Sequence, residues 1–228
     1  MNLRIFDSVD DLVKAASRTI LQRTAQKPSS SIALSGGSTP KPLYQLLGSS
    51  PVRDELANRP ITWVVVDERY VPFDDPQSNA GMIEKTLFAN GHSSAHRFLP
   101  FHTDLPKPEQ SAERFETDWN TLGLQNLDIV ILGMGDDGHT ASLFPGTGAI
   151  DVENGIATSV FVPRINSWRV TITKPVIRAA ALRIVLAAGT SKREILNHIR
   201  DGADYPIAVV TRGVETWWFV DKAAAGSA

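Results

Sequence analysis

Asp136, Asp137 and His139, three side chains able to move or hold a proton, crowd one short stretch of a 228-residue chain. They follow an apolar run, Ile129 to Leu132, and are interleaved with Gly133, Gly135 and Gly138. A carboxylate two residues before an imidazole can accept the proton of one ring nitrogen and fix the tautomer. The other nitrogen is then free to act as a base near neutral pH. The same spacing also fits an ordinary Asp-Gly turn, so the pattern alone leaves both readings open.

A second stretch, Ser35-Gly36-Gly37-Ser38-Thr39-Pro40, has the makings of an anion cradle. Two glycines let the backbone approach a ligand, Thr39 is placed to cap a following helix, and Pro40 suits its first turn. Free N–H groups and two hydroxyls would then face a phosphate. The stretch is neither a Walker loop nor a GxGxxG fingerprint, and an ordinary strand-to-helix turn would read the same way. Charge gathers again in Asp67-Glu68-Arg69, after the apolar run Ile61 to Val66. Such a cluster fits a solvated rim, but a guanidinium there can also hold a phosphate, a carboxylate or a developing oxyanion. Lys192 falls at a predicted helix start, where the dipole disfavours a cation unless an anion or solvent compensates. His92, His96 and His102 lie in a loop-like context without a third ligand at metal spacing, and read as surface or turn histidines.

These groups need elements to carry them. Strands are predicted for Leu3–Phe6, Ser31–Leu34, Ile61–Val66, Ile129–Leu132, Gly155–Pro163, Trp168–Thr173, Arg183–Ala188, Ile207–Thr211 and Trp217–Val220. Helices are predicted for Val9 to about Gln26, capped by Ser8, then from Pro40 to Gly48, from Ala80 to Ala89 and from Pro108 to Leu122. Two more follow, from Lys174 to Ala180 and from Lys192 through Ile199. The unbroken apolar runs at 61–66 and 129–132 suit strands covered on both faces, as in a parallel sheet. Ligands of such sheets bind beyond the carboxyl ends of the strands, where the charged stretches lie. Trp217 and Trp218 read as packing, and the tail from Ala223 to Ala228 as frayed.

The totals narrow the function. Length suits a single α/β domain over residues 1–228, with no linker rich enough to divide it. Without cysteine there is no disulfide, thiolate nucleophile or cysteine-based zinc site. A net charge of -2 argues against a general nucleic-acid surface. The N-terminus lacks a signal-peptide core and no apolar stretch is long enough for a bilayer, so a cytoplasmic protein is expected.

Taken in order, these blocks resemble the glucosamine-6-phosphate isomerase/6-phosphogluconolactonase family. The resemblance rests on Ser35 to Pro40, on Asp67-Glu68-Arg69-Tyr70-Val71-Pro72 with Ser78-Asn79, and on Gly133 through Pro145. Weaker agreement continues at Arg169-Val170-Thr171-Ile172-Thr173 and Gly189-Thr190-Ser191-Lys192. It implies a modified Rossmann-like α/β fold with a mainly parallel central sheet flanked by helices. It also implies hydrolysis of 6-phospho-D-glucono-1,5-lactone without a metal or organic cofactor, with a small sugar-phosphate lactone rather than nucleic acid or membrane as partner. His139 is then the general base and Asp137 its partner. Arg69 would stabilise the oxyanion or orient the lactone, with Asp67 holding it or contacting sugar hydroxyls. Ser35, Gly36, Gly37, Ser38, Thr39, Asn79, Arg169 and Lys192 would bind substrate and its phosphate. The deaminases of the family share the glycine loop and the Asp-Gly-His turn, but typically carry an acid directly before the Pro-Gly, where this chain has Phe144. Phenylalanine cannot relay a proton, which favours the lactonase over the deaminase. Related sugar-phosphate-dependent regulators add a DNA-binding module, which is not expected here because the roughly thirty residues before the Gly-loop strand read as one strand and one helix. With no Gly-x-Ser-x-Gly motif, direct attack by water is expected rather than an acyl-enzyme.

Overall fold

The computed structural model describes residues 1–226. Seven strands form one sheet in the order β1-β10-β9-β6-β2-β3-β5, and every neighbouring pair is parallel. They are β1 (Asn2–Phe6), β2 (Ser30–Leu34), β3 (Ile61–Val65), β5 (His96–Leu99), β6 (Ile129–Gly133), β9 (Leu182–Ala187) and β10 (Thr216–Asp221). Three more, β4 (Asp67–Arg69), β7 (Ala157–Val162) and β8 (Ser167–Ile172), make a small antiparallel sheet ordered β4-β8-β7. The central strands are apolar on both faces because both faces are covered: Ile32, Ala33, Leu34, Val64, Val65, Val130, Ile131 and Leu132 have no exposed surface.

Helix α1 (Val9–Thr24) starts where Ser8 accepts from the Asp11 amide, and it buries Leu12, Val13, Ala16 and Ile20. Its neighbours α2 (Lys41–Leu47) and α3 (Val52–Leu56) pack against it, while α5 (Pro108–Thr121) covers β7 and β8 with Phe115 and Trp119. The remaining helices are short: α4 (Asn79–Glu84), α6 (Lys174–Ala179), α7 (Arg193–Arg200), α8 (Pro206–Thr211) and α9 (Lys222–Ala225).

Several expectations need correction. Residues 207–211 are rich in β-branched side chains yet form α8, entered through Pro206 and anchored by the Ile207 amide on the Gly138 carbonyl (3.1 Å). Tertiary contact overrides β-propensity there. Thr39 does not cap α2, which begins at Lys41 behind Pro40 without a side-chain cap. Helix α4 stops at Glu84 rather than Ala89, and the histidine-containing loop conceals β5. Asp67 to Arg69 form a strand rather than a solvated rim, and Glu68 is 1% exposed. Ala223 to Ala225 lie in α9, capped by the Asp221 carboxylate, and residues 227–228 of the expected frayed tail lie outside the described residues.

The two sheets meet at Val66. Its amide donates to Leu34 O (3.0 Å) in the parallel sheet, and its carbonyl accepts from the Ile172 amide (2.9 Å) in the antiparallel one. The chain therefore leaves β3 and enters the second sheet within one residue, which sets Asp67 and Arg69 at the junction.

Candidate active site

Strands β2 and β6 are neighbours, but the chain continues from β2 outward to β3 and β5, and from β6 the other way to β9 and β10. Their loops separate at this reversal, and a crevice opens between them. It holds a cavity of about 340 Å3. Ser35, Gly36, Gly37, Ser38 and Thr39 line one side and Gly133 to Asp136, His139 and Thr140 the other; Asp67, Arg69, Asn79 and Lys192 complete the wall. Ten of the twelve residues expected at the site are thus brought onto one surface. Asp137 lies behind His139, and Arg169 is not on the wall.

The turn after β6 is closed by its own backbone: the Gly135 amide donates to His139 O (2.9 Å), and Thr140 Oγ1 donates to Gly133 O (2.9 Å). Asp137 Oδ1 sits 2.5 Å from His139 Nδ1 and also accepts the His139 amide (3.1 Å). With Nδ1 held by the carboxylate, Nε2 is the ring nitrogen left for chemistry. Burial acts to raise the Asp137 carboxyl, but the hydrogen bonds from His139 and the charges of His139 and Arg164 outweigh it and hold it below the usual carboxylate range. Gly135 is required here, since a Cβ would lie 2.1 Å from His139 Nδ1.

The opposite wall is fixed by a buried carboxylate. Glu68 accepts four hydrogen bonds, from the amides of Arg69 (2.8 Å), Asn79 (2.7 Å) and Ala80 (2.7 Å) and from Ser78 Oγ (3.0 Å). Burial pushes its carboxyl up, and the three backbone donors push back. Asn79 Nδ2 in turn donates to Asp67 O (2.7 Å), and the Asn79 side chain fills the space a Cβ on Gly36 would take. Asp67 Oδ2 accepts from Ser142 Oγ (2.7 Å), while Arg69 Nη1 donates to the Gln77 carbonyl (2.5 Å). Asp67 therefore does not hold Arg69, the first of its two expected roles.

The cations are arranged in two tiers. Lys192 Nζ lies 2.5 Å from Asp136 Oδ1, so Asp136 is the anion that compensates a cation at a helix start. That contact, acting against weaker desolvation, keeps the Asp136 carboxyl below its ordinary range. Arg169 stands directly across the strand pair from Arg69, is 8% exposed, and has a buried Nη1 without a hydrogen-bond partner among the described residues. Burial, and then the charge of Arg69, lower the Arg169 guanidinium from its ordinary value, while Asp67 and Glu68 partly offset this.

Contacts that spacing does not disclose complete the site. Arg164, in the turn between β7 and β8, lies 2.7 Å from Asp137 Oδ2. The ring of Phe144 stacks on His139 with centroids 4.1 Å apart. Ser142 falls inside the motif, but its contact with Asp67 links segments 75 residues apart, which spacing does not disclose. The three loop histidines lie elsewhere, with Glu84, the Leu56 carbonyl and Asp118 as partners.

Residues 7–218 match the model of a protein family described as glucosamine-6-phosphate isomerases/6-phosphogluconolactonase. The chain belongs to this family. A 6-phosphogluconolactonase from Synechocystis is 34% identical over 215 residues, covering 90% of this chain and 87% of the relative. A crystal structure of 6-phosphogluconolactonase from Thermotoga maritima is 29% identical with a TM-score of 0.84, covering 97% of this chain and 99% of that one. A monomeric glucosamine-6-phosphate deaminase superposes with a TM-score of 0.83 at 22% identity, covering 99% of both chains. That likeness shows a shared fold alone.

Proposed function

We propose that this chain hydrolyses 6-phospho-D-glucono-1,5-lactone to 6-phospho-D-gluconate, with His139 as general base and Asp137 as its partner. The Asp137–His139 hydrogen bond at the wall of the cavity carries this reading. Similarity to 6-phosphogluconolactonases over most of the chain supports the substrate, and the phenyl ring against His139 supports hydrolysis over deamination, since Phe144 offers no proton relay.

His139 Nε2 takes a proton from water as the water oxygen attacks the lactone carbonyl. The carbonyl electrons move onto oxygen, and Arg69 is placed to stabilise that charge. Collapse of the tetrahedral intermediate breaks the bond from the carbonyl carbon to the ring oxygen. The leaving oxygen receives the proton from His139, and the new carboxyl ionises. Asp137 offsets the imidazolium charge throughout, as a carboxylate does in a Ser-His-Asp triad. The distal phosphate lies on the amides and hydroxyls of Gly36 to Thr39, with Lys192 as its nearest cation and Arg169 adding charge from behind Arg69. Asp67 and Asn79 face the sugar hydroxyls.

The test is a coupled assay in which glucose-6-phosphate dehydrogenase makes the lactone in situ and spontaneous hydrolysis is subtracted. Acceleration that disappears in His139→Gln supports the assignment, and ammonia release from glucosamine-6-phosphate without lactonase activity would overturn it.

A further inference from the structure

The second sheet reaches the catalytic turn at one point. Asp137 uses Oδ1 for His139 and Oδ2 for Arg164, which sits in the short helical turn Pro163–Ile165 between β7 and β8. Asn166, left-handed at φ 45°, ends that turn and sends the chain back into β8. The Arg164 guanidinium also lies 6.0 Å from the Phe144 ring, which stacks on His139. One cation therefore pairs with one of the groups packed against the imidazole and lies over the other, yet it is not on the cavity wall.

We propose that Arg164 is a positioning residue for the reaction above, holding Asp137 from the second sheet and competing with an imidazolium at position 139 for that carboxylate. The physical basis is competition for one carboxylate. An imidazolium at position 139 is stabilised by Asp137, and a guanidinium on the other oxygen withdraws part of that stabilisation. Arg164 also repels the imidazolium directly. Removing Arg164 should therefore strengthen the hold of Asp137 on an imidazolium at position 139.

The other charges facing this histidine are otherwise engaged. Asp136, on the same turn, is held by Lys192 from the segment after β9. Asp67 and Arg69, from β4, are tied to Ser142 and the Gln77 carbonyl. Beside Gly138 on the far side is Tyr205, which contacts His198 across a 3.1 Å hydrogen bond. Arg164 is the cation in direct contact with Asp137, which makes its removal a clean experiment.

The proposal rests on His139 acting as base, so two readouts are needed. The first is kcat and KM for the lactone against pH in wild type, Arg164→Gln and Arg164→Lys. The second is the proton NMR titration of the His139 ring, which requires no turnover. In Arg164→Gln the ascending limb of kcat and the ring titration should both move to higher pH by about 0.3–1 unit, as expected for a partly solvated charge. KM should stay within about twofold, because a group off the cavity wall provides no uniform substrate binding. Arg164→Lys should restore most of the shift. Limb and titration unchanged in Arg164→Gln would overturn the proposal. So would Arg164→Lys behaving like the glutamine variant, or a raised KM with a fixed limb. A shifted ring titration in a protein with no lactonase activity would uphold the pairing and refute the function instead.

Discussion

Two carboxylates support the cavity walls from behind and are built in opposite ways. Glu68 is buried and takes four donors, three of them backbone amides that cannot titrate. Asp137 is part-exposed, and its side-chain partners are a histidine and an arginine. Glu68 gathers the start of α4 and the end of β4 into one body, so its hydrogen bonds are spent on geometry. Asp137 has a partner whose charge changes, so its hydrogen bond can follow a reaction. Counting hydrogen bonds would rank Glu68 first; asking which partner can change protonation state ranks Asp137 first.

The sharpest way to break this contrast is to neutralise each carboxyl in place. Asp137→Asn should lower kcat by about 10²–10⁴-fold, because an amide can hold the wrong tautomer and cannot balance an imidazolium. Its unfolding midpoint in urea at neutral pH should change little by comparison, since the group is part-exposed. Glu68→Gln should do the reverse. Turning an NH2 toward buried donors leaves at least one unsatisfied, a destabilisation of about 2–3 kcal/mol in urea unfolding. The folded fraction of that variant should keep the same ascending pH limb.

A smaller effect concerns binding. Lys192→Ala should raise KM by about tenfold or more, with a lesser fall in kcat, if its charge-assisted contact with the phosphate contributes roughly 1.5–3 kcal/mol. Removing the lysine also frees Asp136 as an unpaired anion on the wall, which adds to the loss. Unchanged kinetics in Lys192→Ala would remove the lysine from the phosphate site.

The smallest effect is the response of stability to acid, and the two carboxyls differ in sign. The Asp137 carboxyl is held below its ordinary range, so its contribution is present above the unfolded-state value and is lost as pH falls through the folded one. Glu68 is pushed up by burial, so its contribution is present below the unfolded-state value and is lost as pH rises through the folded one. Acidifying from about pH 5 to 3, the range in which carboxyls titrate, should therefore cost wild type more of its melting temperature than Asp137→Asn. An equal or steeper loss in the asparagine variant would contradict the ion pairing seen at Asp137.

Much of this arrangement could be read before any coordinates. The strands at 61–65 and 129–133 announce themselves because a parallel sheet buried on both faces leaves apolar runs. The glycine loop and the Asp-Gly-His turn are local in sequence, so spacing marks them as candidates, although an ordinary turn would read the same way. Contacts that depend on distant segments leave no such trace. Asp67-Glu68-Arg69 looks solvated because nothing nearby shows that Ser78 Oγ and the amides of Asn79 and Ala80 will satisfy Glu68. Arg164 is a lone cation between two strands, and only the return of the second sheet to position 137 gives it a role. Residues 207–211 have the composition of a strand, yet Pro206 and the Gly138 carbonyl commit them to a helix.

In the proposed reaction His139, held by Asp137, is the base that activates water. Initial-rate lactone hydrolysis against pH, in wild type and His139→Gln with the uncatalysed rate subtracted at every point, tests it most directly. As base, His139 must be unprotonated to act, so wild-type kcat should rise with pH as the ring loses its proton. The glutamine variant should lose that limb and fall by about 10²–10⁴-fold, while still binding 6-phosphogluconate by calorimetry through the intact glycine loop and Lys192. A variant that keeps near-wild-type kcat and the same ascending limb would show that another group is the base, with Asp67 the next carboxylate on the wall.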